Sequence, residues 1–155
     1  MHIHRYERLW MMFGIAMLIV FMGAILIAAF VDNLNPPSDT QAIDPTKVAS
    51  TPPFDHPGLR QKPDGTYEVY YVAQVFSFTP QTITVPVGKK VDFYVTSPDV
   101  VHGFEVAETD VNMMVVPGWV NETSHTFKKP GTYLIVCNEY CGIGHQNMAA
   151  RIEVK

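Results

Sequence analysis

The hydrophobic pattern along this chain changes character once. From Leu9 to Val31 (LWMMFGIAMLIVFMGAILIAAFV) no residue carries a charge. As a helix this run is about 35 Å long, enough to cross a hydrocarbon core of about 30 Å with some tilt. A cleavable leader would have a shorter apolar core and a small-residue cleavage site, which Ala28-Ala29-Phe30 matches poorly. The run is therefore expected to be a retained transmembrane helix over 9–31, behind a short N-terminus, 1–8. From Tyr67 onward the period shortens to that of strands. Runs rich in Val, Ile, Tyr, Phe and Thr recur at Tyr67–Phe76, Thr82–Val85, Val91–Thr96, His102–Val106, Val111–Val116, Ser124–Phe127, Thr132–Cys137 and Ala149–Val154, separated by Pro/Gly turns. That spacing predicts an all-β domain over 66–155, an antiparallel sandwich or Greek-key barrel. Between the two regimes stand Pro36, Pro37, Pro45, Pro52, Pro53, Pro57 and Pro63 among Ser, Thr and Asp. Such a stretch reads as an extended tether over 32–65.

Charge assigns each part a side of the membrane. Arg5 and Arg8 outweigh Glu7 before the apolar run, whereas Asp32, Asp39 and Asp44 follow it with no basic residue until Lys47. The positive-inside rule then places the N-terminus in the cytoplasm and the β-domain on the periplasmic or outer face. The whole chain has 11 basic and 15 acidic residues. No polybasic run suggests nucleic acid, and the acidic outer part favours a basic partner at low ionic strength.

The densest chemistry lies near the C-terminus, in Cys137-Asn138-Glu139-Tyr140-Cys141-Gly142-Ile143-Gly144-His145-Gln146-Asn147-Met148. Two thiols, an imidazole and a thioether crowd into one loop, a donor set that selects soft and borderline metals; Met beside Cys and His tilts the choice to copper. A structural disulfide between Cys137 and Cys141 is the bland alternative in an oxidising compartment, but it leaves His145 and Met148 without a role. His102, within Ser97-Pro98-Asp99-Val100-Val101-His102, starts a strand and can meet the loop at one end of a Greek-key sandwich. A distant first ligand followed by a compact C-terminal loop is how cupredoxins build copper sites.

These residues give the chain a specific resemblance. Cys-Xaa-Glu-Xaa-Cys-Gly-Xaa-Gly-His-Xaa-Xaa-Met at 137–148, with Ser-Pro-Asp-Val-Xaa-His at 97–102, resembles subunit II of the haem-copper cytochrome c oxidases, in its shorter single-helix branch. The resemblance implies a cupredoxin-like Greek-key β-sandwich or barrel carrying a binuclear CuA centre of two copper ions. Cys137 and Cys141 would be bridging thiolates and His102 and His145 terminal imidazoles, with Met148 and the Glu139 carbonyl as weak axial donors. It implies electron delivery from a cytochrome c-type donor to haem in subunit I, where oxygen is reduced. It also suggests a magnesium ion at the Glu139 carboxylate, against the simpler reading of an interface carboxylate.

Two other functions share part of this signature. A membrane-anchored copper chaperone can carry Cys-Xaa3-Cys, but with its His downstream in an αβ pattern. A mononuclear blue-copper carrier needs one Cys, two His and an axial Met, so the second thiol counts against it. A quinol-oxidase subunit, which lacks the copper ligands, is excluded by their presence. His125 reads as a solvent-facing strand residue, His56 as a tether residue, and His2 and His4 as part of the membrane flank. Met11, Met12, Met17 and Met22 serve the apolar helix. Most of Tyr67, Tyr70, Tyr71, Phe76 and Phe78 should fill the core. Phe76, Phe78, Trp119 and Tyr140 are the candidates for an electron-input surface near the metal.

Overall fold

A computed structural model describes residues 4–31 and 36–155, which fall into two compact units, Met1–Asn35 and Pro36–Lys155. In the first, α1 (Arg5–Phe30) is capped by His4, whose side chain accepts the Tyr6 N–H. None of its residues is buried within the unit, and its mean hydropathy reaches 2.7. A helix apolar all round needs a membrane or a protein cover, and this one is long and apolar enough to cross a bilayer. It starts four residues before the expected Leu9 because Arg5, Tyr6 and Arg8 extend the helix beyond the apolar run. His2, Asp32 and the first tether residues, 32–35, lie outside the described residues.

The second unit contains β1 (Ser38–Ala42), β2 (Gly58–Gln61), β3 (Tyr67–Gln74), β4 (Ser77–Thr79), β5 (Thr82–Val85), β6 (Lys90–Thr96), β7 (His102–Val106), β8 (Asn112–Val115), β9 (Trp119–Thr126), β10 (Gly131–Val136) and β11 (Ala149–Val154). Short 3-10 helices occur at Pro45–Ser50 and His145–Asn147. One sheet runs β1-β9-β6-β3-β2, with β4 added to β3; the other runs β5-β11-β10-β7-β8. The expected two-layer sandwich is present, but it is mixed: β3 pairs parallel to β6 and β5 parallel to β11. The core lies between the layers. Val69, Tyr71 and Ala73 from β3 alternate inward, as do Phe93 and Val95 of β6, against Phe104, Val106, Ile135 and Ile152 of the other sheet.

The segment expected to be a tether is corrected by the structure. Residues 38–61 supply two strands of the first sheet and an outer layer over it: Ile43, Val48 and Phe54 bury against Val120, with Tyr70, Val72 and Tyr94 packed alongside. The physical reason lies in the strands beneath. Tyr-Glu-Val-Tyr-Tyr-Val-Ala in β3 and Val-Asp-Phe-Tyr-Val in β6 present apolar groups on both faces, and a sheet apolar on both faces must be covered on both. Arg60 pins this arm, donating to the Pro53 and His56 carbonyls at 3.1 and 3.2 Å and lying over the Tyr70 ring. Asn121 and Asp39 hydrogen-bond across β1 and β9.

Two strand boundaries also differ. β9 begins at Trp119 rather than Ser124, because β1 and β6 pair with Asn121 and Glu122 from both sides and override their weak strand preference. The expected Tyr67–Phe76 run ends at Gln74, and the chain turns at Val75–Phe76 into β4.

Candidate metal centre

The candidate ligands meet because three neighbouring strands deliver them to one end of the second sheet. β10 pairs antiparallel to both β7 and β11. The residue following β10, Cys137, therefore lies beside His102 at the start of β7 and Met148 just before β11. The Cys137 N–H donates to the Met148 carbonyl at 3.2 Å, closing the loop.

Within that loop Cys137 Sγ is 4.0 Å from His102 Nδ1 and 3.8 Å from Cys141 Sγ. Cys141 Sγ in turn is 3.7 Å from His145 Nδ1 and 3.7 Å from Met148 Sδ. The Glu139 carbonyl accepts from the Cys137 thiol at 3.1 Å. All six residues singled out from the sequence converge. The two cysteines are free and buried. Burial, with the neighbouring Cys137 second, pushes the Cys141 thiol up to about 11, so a metal that takes it as thiolate must displace its proton. Among the described residues, the cluster of His, Cys, Asp or Glu ligand atoms is His102, Cys137 and Cys141, all buried, with those atoms within 4.8 Å of one another.

Two close approaches explain the glycines around the site. A Cβ on Gly103 would lie 1.8 Å from Asn138 Oδ1 and 2.7 Å from the Glu139 backbone nitrogen. The side-chain amide of Asn138 donates to Glu105 and Asn112 at 2.9 and 3.1 Å, locking the loop onto β7 and β8. Gly103→Ala is therefore expected to push the loop off β7. Chelator competition should show copper retention falling about 10–100-fold, the scale of a lost outer support, and thermal unfolding should show a loss of about 1–3 kcal/mol. On the other side, Cβ atoms on Gly142 and Gly144 would come within 2.9 and 2.5 Å of the Phe76 ring, which roofs the loop.

The four aromatic surface candidates divide. Phe76 covers the loop while 39% exposed, and Tyr140 is 73% exposed with its ring edge on His145, centroids 5.8 Å apart. Phe78 is not at the surface: it is fully buried, edge-on to Phe104, because Ser77 and Thr79 take the outward positions of β4. Trp119 is exposed, but it pairs with Ala42 in the first sheet rather than joining the ligand loop. Sequence reasoning missed Ile143, Val75 and Val100, which are exposed on the loop and its flanking turns. His125 is only partly exposed: it hydrogen-bonds Asp110 and sets its ring against Phe127. His56 faces Asp55 in the arm.

Asp99 was also missed. It accepts from Val75 N, Val100 N and Ser97 Oγ and pairs with His102. Burial opposes its charge, but these hydrogen bonds outweigh burial and hold the carboxyl below its usual range.

Residues 73–155 match the family described as cytochrome C oxidase subunit II, periplasmic domain. Cytochrome c oxidase subunit 2 of Thermus thermophilus is 42% identical over 97% of this chain and 92% of its own length. The chain belongs to the cytochrome c oxidase subunit II family. A solved haem-copper terminal oxidase dimer contains a chain 31% identical, covering 97% of this one and 100% of its own, with a TM-score of 0.79. The periplasmic domain of subunit II from Bradyrhizobium japonicum, 24% identical over 57% of this chain and 83% of its own with a TM-score of 0.53, shares the fold. As a subunit II, this chain is the electron-transfer component of a haem-copper oxidase complex, joining a membrane-spanning helix candidate to a two-sheet β-sandwich domain. The family implies copper, and the buried imidazole–dithiol set fits it.

Proposed function

We propose that His102, Cys137, Cys141, His145, Met148 and the Glu139 carbonyl hold a binuclear CuA centre of two copper ions. The reading is supported by the order of contacts, imidazole to thiol to thiol to imidazole, with a carbonyl beside the first thiol and a thioether beside the second. When bound, the two ions would supply one-electron uptake and release, and Cys137 and Cys141 are the residues that would hold both. The protein's part is to exclude water and fix the donors: His102, both cysteines and Met148 are buried, so the site changes little in geometry as charge arrives. Phe76 lies over one side of the loop while staying partly exposed. Copper quantified on the purified full chain should give two ions per chain; one ion would return the blue-copper carrier, and Cu(I) alone on two thiolates the chaperone.

In this reading electrons come from a c-type cytochrome on the outer face of the inner membrane and leave to haem in subunit I. α1 anchors the domain with its N-terminus in the cytoplasm. The donor meets an apolar surface made by Val75, Phe76, Val100, Tyr140 and Ile143, all exposed. Ile143 is 89% exposed and is not among the proposed metal donors, so it isolates docking from metal binding. Ile143→Glu is expected to slow cytochrome oxidation about tenfold, some 1.4 kcal/mol, with copper content and spectrum unchanged. The unsubstituted chain should depend less on ionic strength than a charge-steered pair does. Glu139 is exposed; a magnesium ion at its carboxylate would need further ligands from subunit I, and metal analysis of the whole complex tests it.

A further inference from the structure

We propose that Asp99 is a positioning residue for the copper centre: its carboxylate fixes the His102 ring and ties it to the Val75–Phe76 turn that roofs the ligand loop. This inference rests on the copper reading above. His102 is fully buried, and its two nitrogens face different partners. Nε2 lies 2.9 Å from Asp99 Oδ1, while Nδ1 is directed at Cys137 Sγ. An ionised carboxylate only accepts, so Nε2 carries the hydrogen and Nδ1 presents its lone pair to the site. A carboxylate behind a ligating imidazole also fixes its orientation.

Asp99 is itself held firmly. Oδ1 takes the Val100 N–H at 2.7 Å and the Ser97 hydroxyl at 3.0 Å, and that hydroxyl also faces the Val100 carbonyl. Oδ2 reaches across the fold to the Val75 N–H at 2.8 Å. The next residue, Phe76, lies against Gly142 and Gly144, on either side of Ile143 and between Cys141 and His145. One carboxylate thus supports one imidazole directly and the other half of the loop through the Phe76 ring. Because Val75 and Phe76 are also part of the exposed apolar surface, the donor-facing roof and the His102 ligand share a single anchor.

The test uses the full-length chain, copper-loaded in detergent, with Asp99→Asn and Asp99→Ala. Asp99→Asn keeps the shape and one acceptor, so it serves if the alanine variant does not fold. Both are expected to lose copper to a chelator about 10–100 times more readily. Both should also raise the reduction potential, since a negative charge behind the ligand is lost; a tenfold change in the one-electron equilibrium is about 59 mV. In the alanine variant the Val75 amide should exchange faster with solvent and the Phe76 ring resonances should move. Wild-type copper retention, potential and His102 hyperfine shifts in Asp99→Asn would overturn the positioning role. Unchanged Val75 exchange and Phe76 resonances in a folded Asp99→Ala would overturn the coupling to the roof. If the unsubstituted chain does not take up two coppers, it is the copper reading that fails, before either variant is compared.

Discussion

Cys137→Ser is expected to destroy the metal centre while leaving the fold in place. Cys137 Sγ stands at the middle of the donor set, next to His102 Nδ1, Cys141 Sγ and the Glu139 carbonyl. A serine hydroxyl is a hard donor that stays protonated at neutral pH, so it cannot replace a thiolate shared between soft metals. Copper should fall from two ions per chain to one or none. Oxidation of a c-type cytochrome by the assembled oxidase should drop by more than about 100-fold, beyond the loss of an outer support. The replacement is nearly isosteric, so the metal-free protein should unfold within about 1 kcal/mol of the parent. Copper analysis, cytochrome oxidation and thermal unfolding measured on the same preparation check all three. Retention of two coppers would remove Cys137 from the ligand set.

The second large effect concerns the arm. A fragment beginning at Thr66, the boundary that proline content suggests, is expected not to fold cooperatively, whereas one beginning at Pro36 is expected to do so. The shorter fragment lacks β1 and β2 and strips Ile43, Val48 and Phe54 from the outer face of the first sheet. At about 1.5–3 kcal/mol per fully buried apolar side chain, that removes about 5–9 kcal/mol as an upper value. Small domains hold only about 5–15 kcal/mol in total. It also leaves β9 and β3 with open edges beside the exposed apolar groups Val72, Tyr94 and Val120, a template for aggregation. Thermal unfolding of both fragments, followed by circular dichroism, decides the matter: equal midpoints would show that the arm is dispensable.

These two effects also mark where the sequence was legible. The ligand loop could be read because two thiols, an imidazole and a thioether at short spacing have few other uses together, and because a strand-starting His102 can reach them only at one end of a sandwich. The strands of the core could be read from their period-two alternation. The arm could not be read from its own residues, whose prolines and hydroxyls say tether. Its signal was in its cover, the doubly apolar β3 and β6. β9 was half hidden because Asn121 and Glu122 are strand residues only through their two neighbours. Phe76 and Phe78 are equally aromatic and two residues apart, and only the turn between β3 and β4 decides which roofs the loop and which fills the core. Asp99 stood in the recognised motif, but its partner Val75 is distant in sequence and donates a backbone N–H, which leaves no mark in the amino-acid string.

In the proposed site the two thiols bridge a pair of metals rather than serve one. The most direct test is the electron paramagnetic resonance spectrum of the copper-loaded full-length chain, recorded with copper quantified in the same sample. Two coppers per chain with a seven-line hyperfine pattern are expected, since one unpaired electron is shared equally by two like nuclei. A four-line pattern from a single copper, or diamagnetic copper held by the two thiols alone, would contradict it.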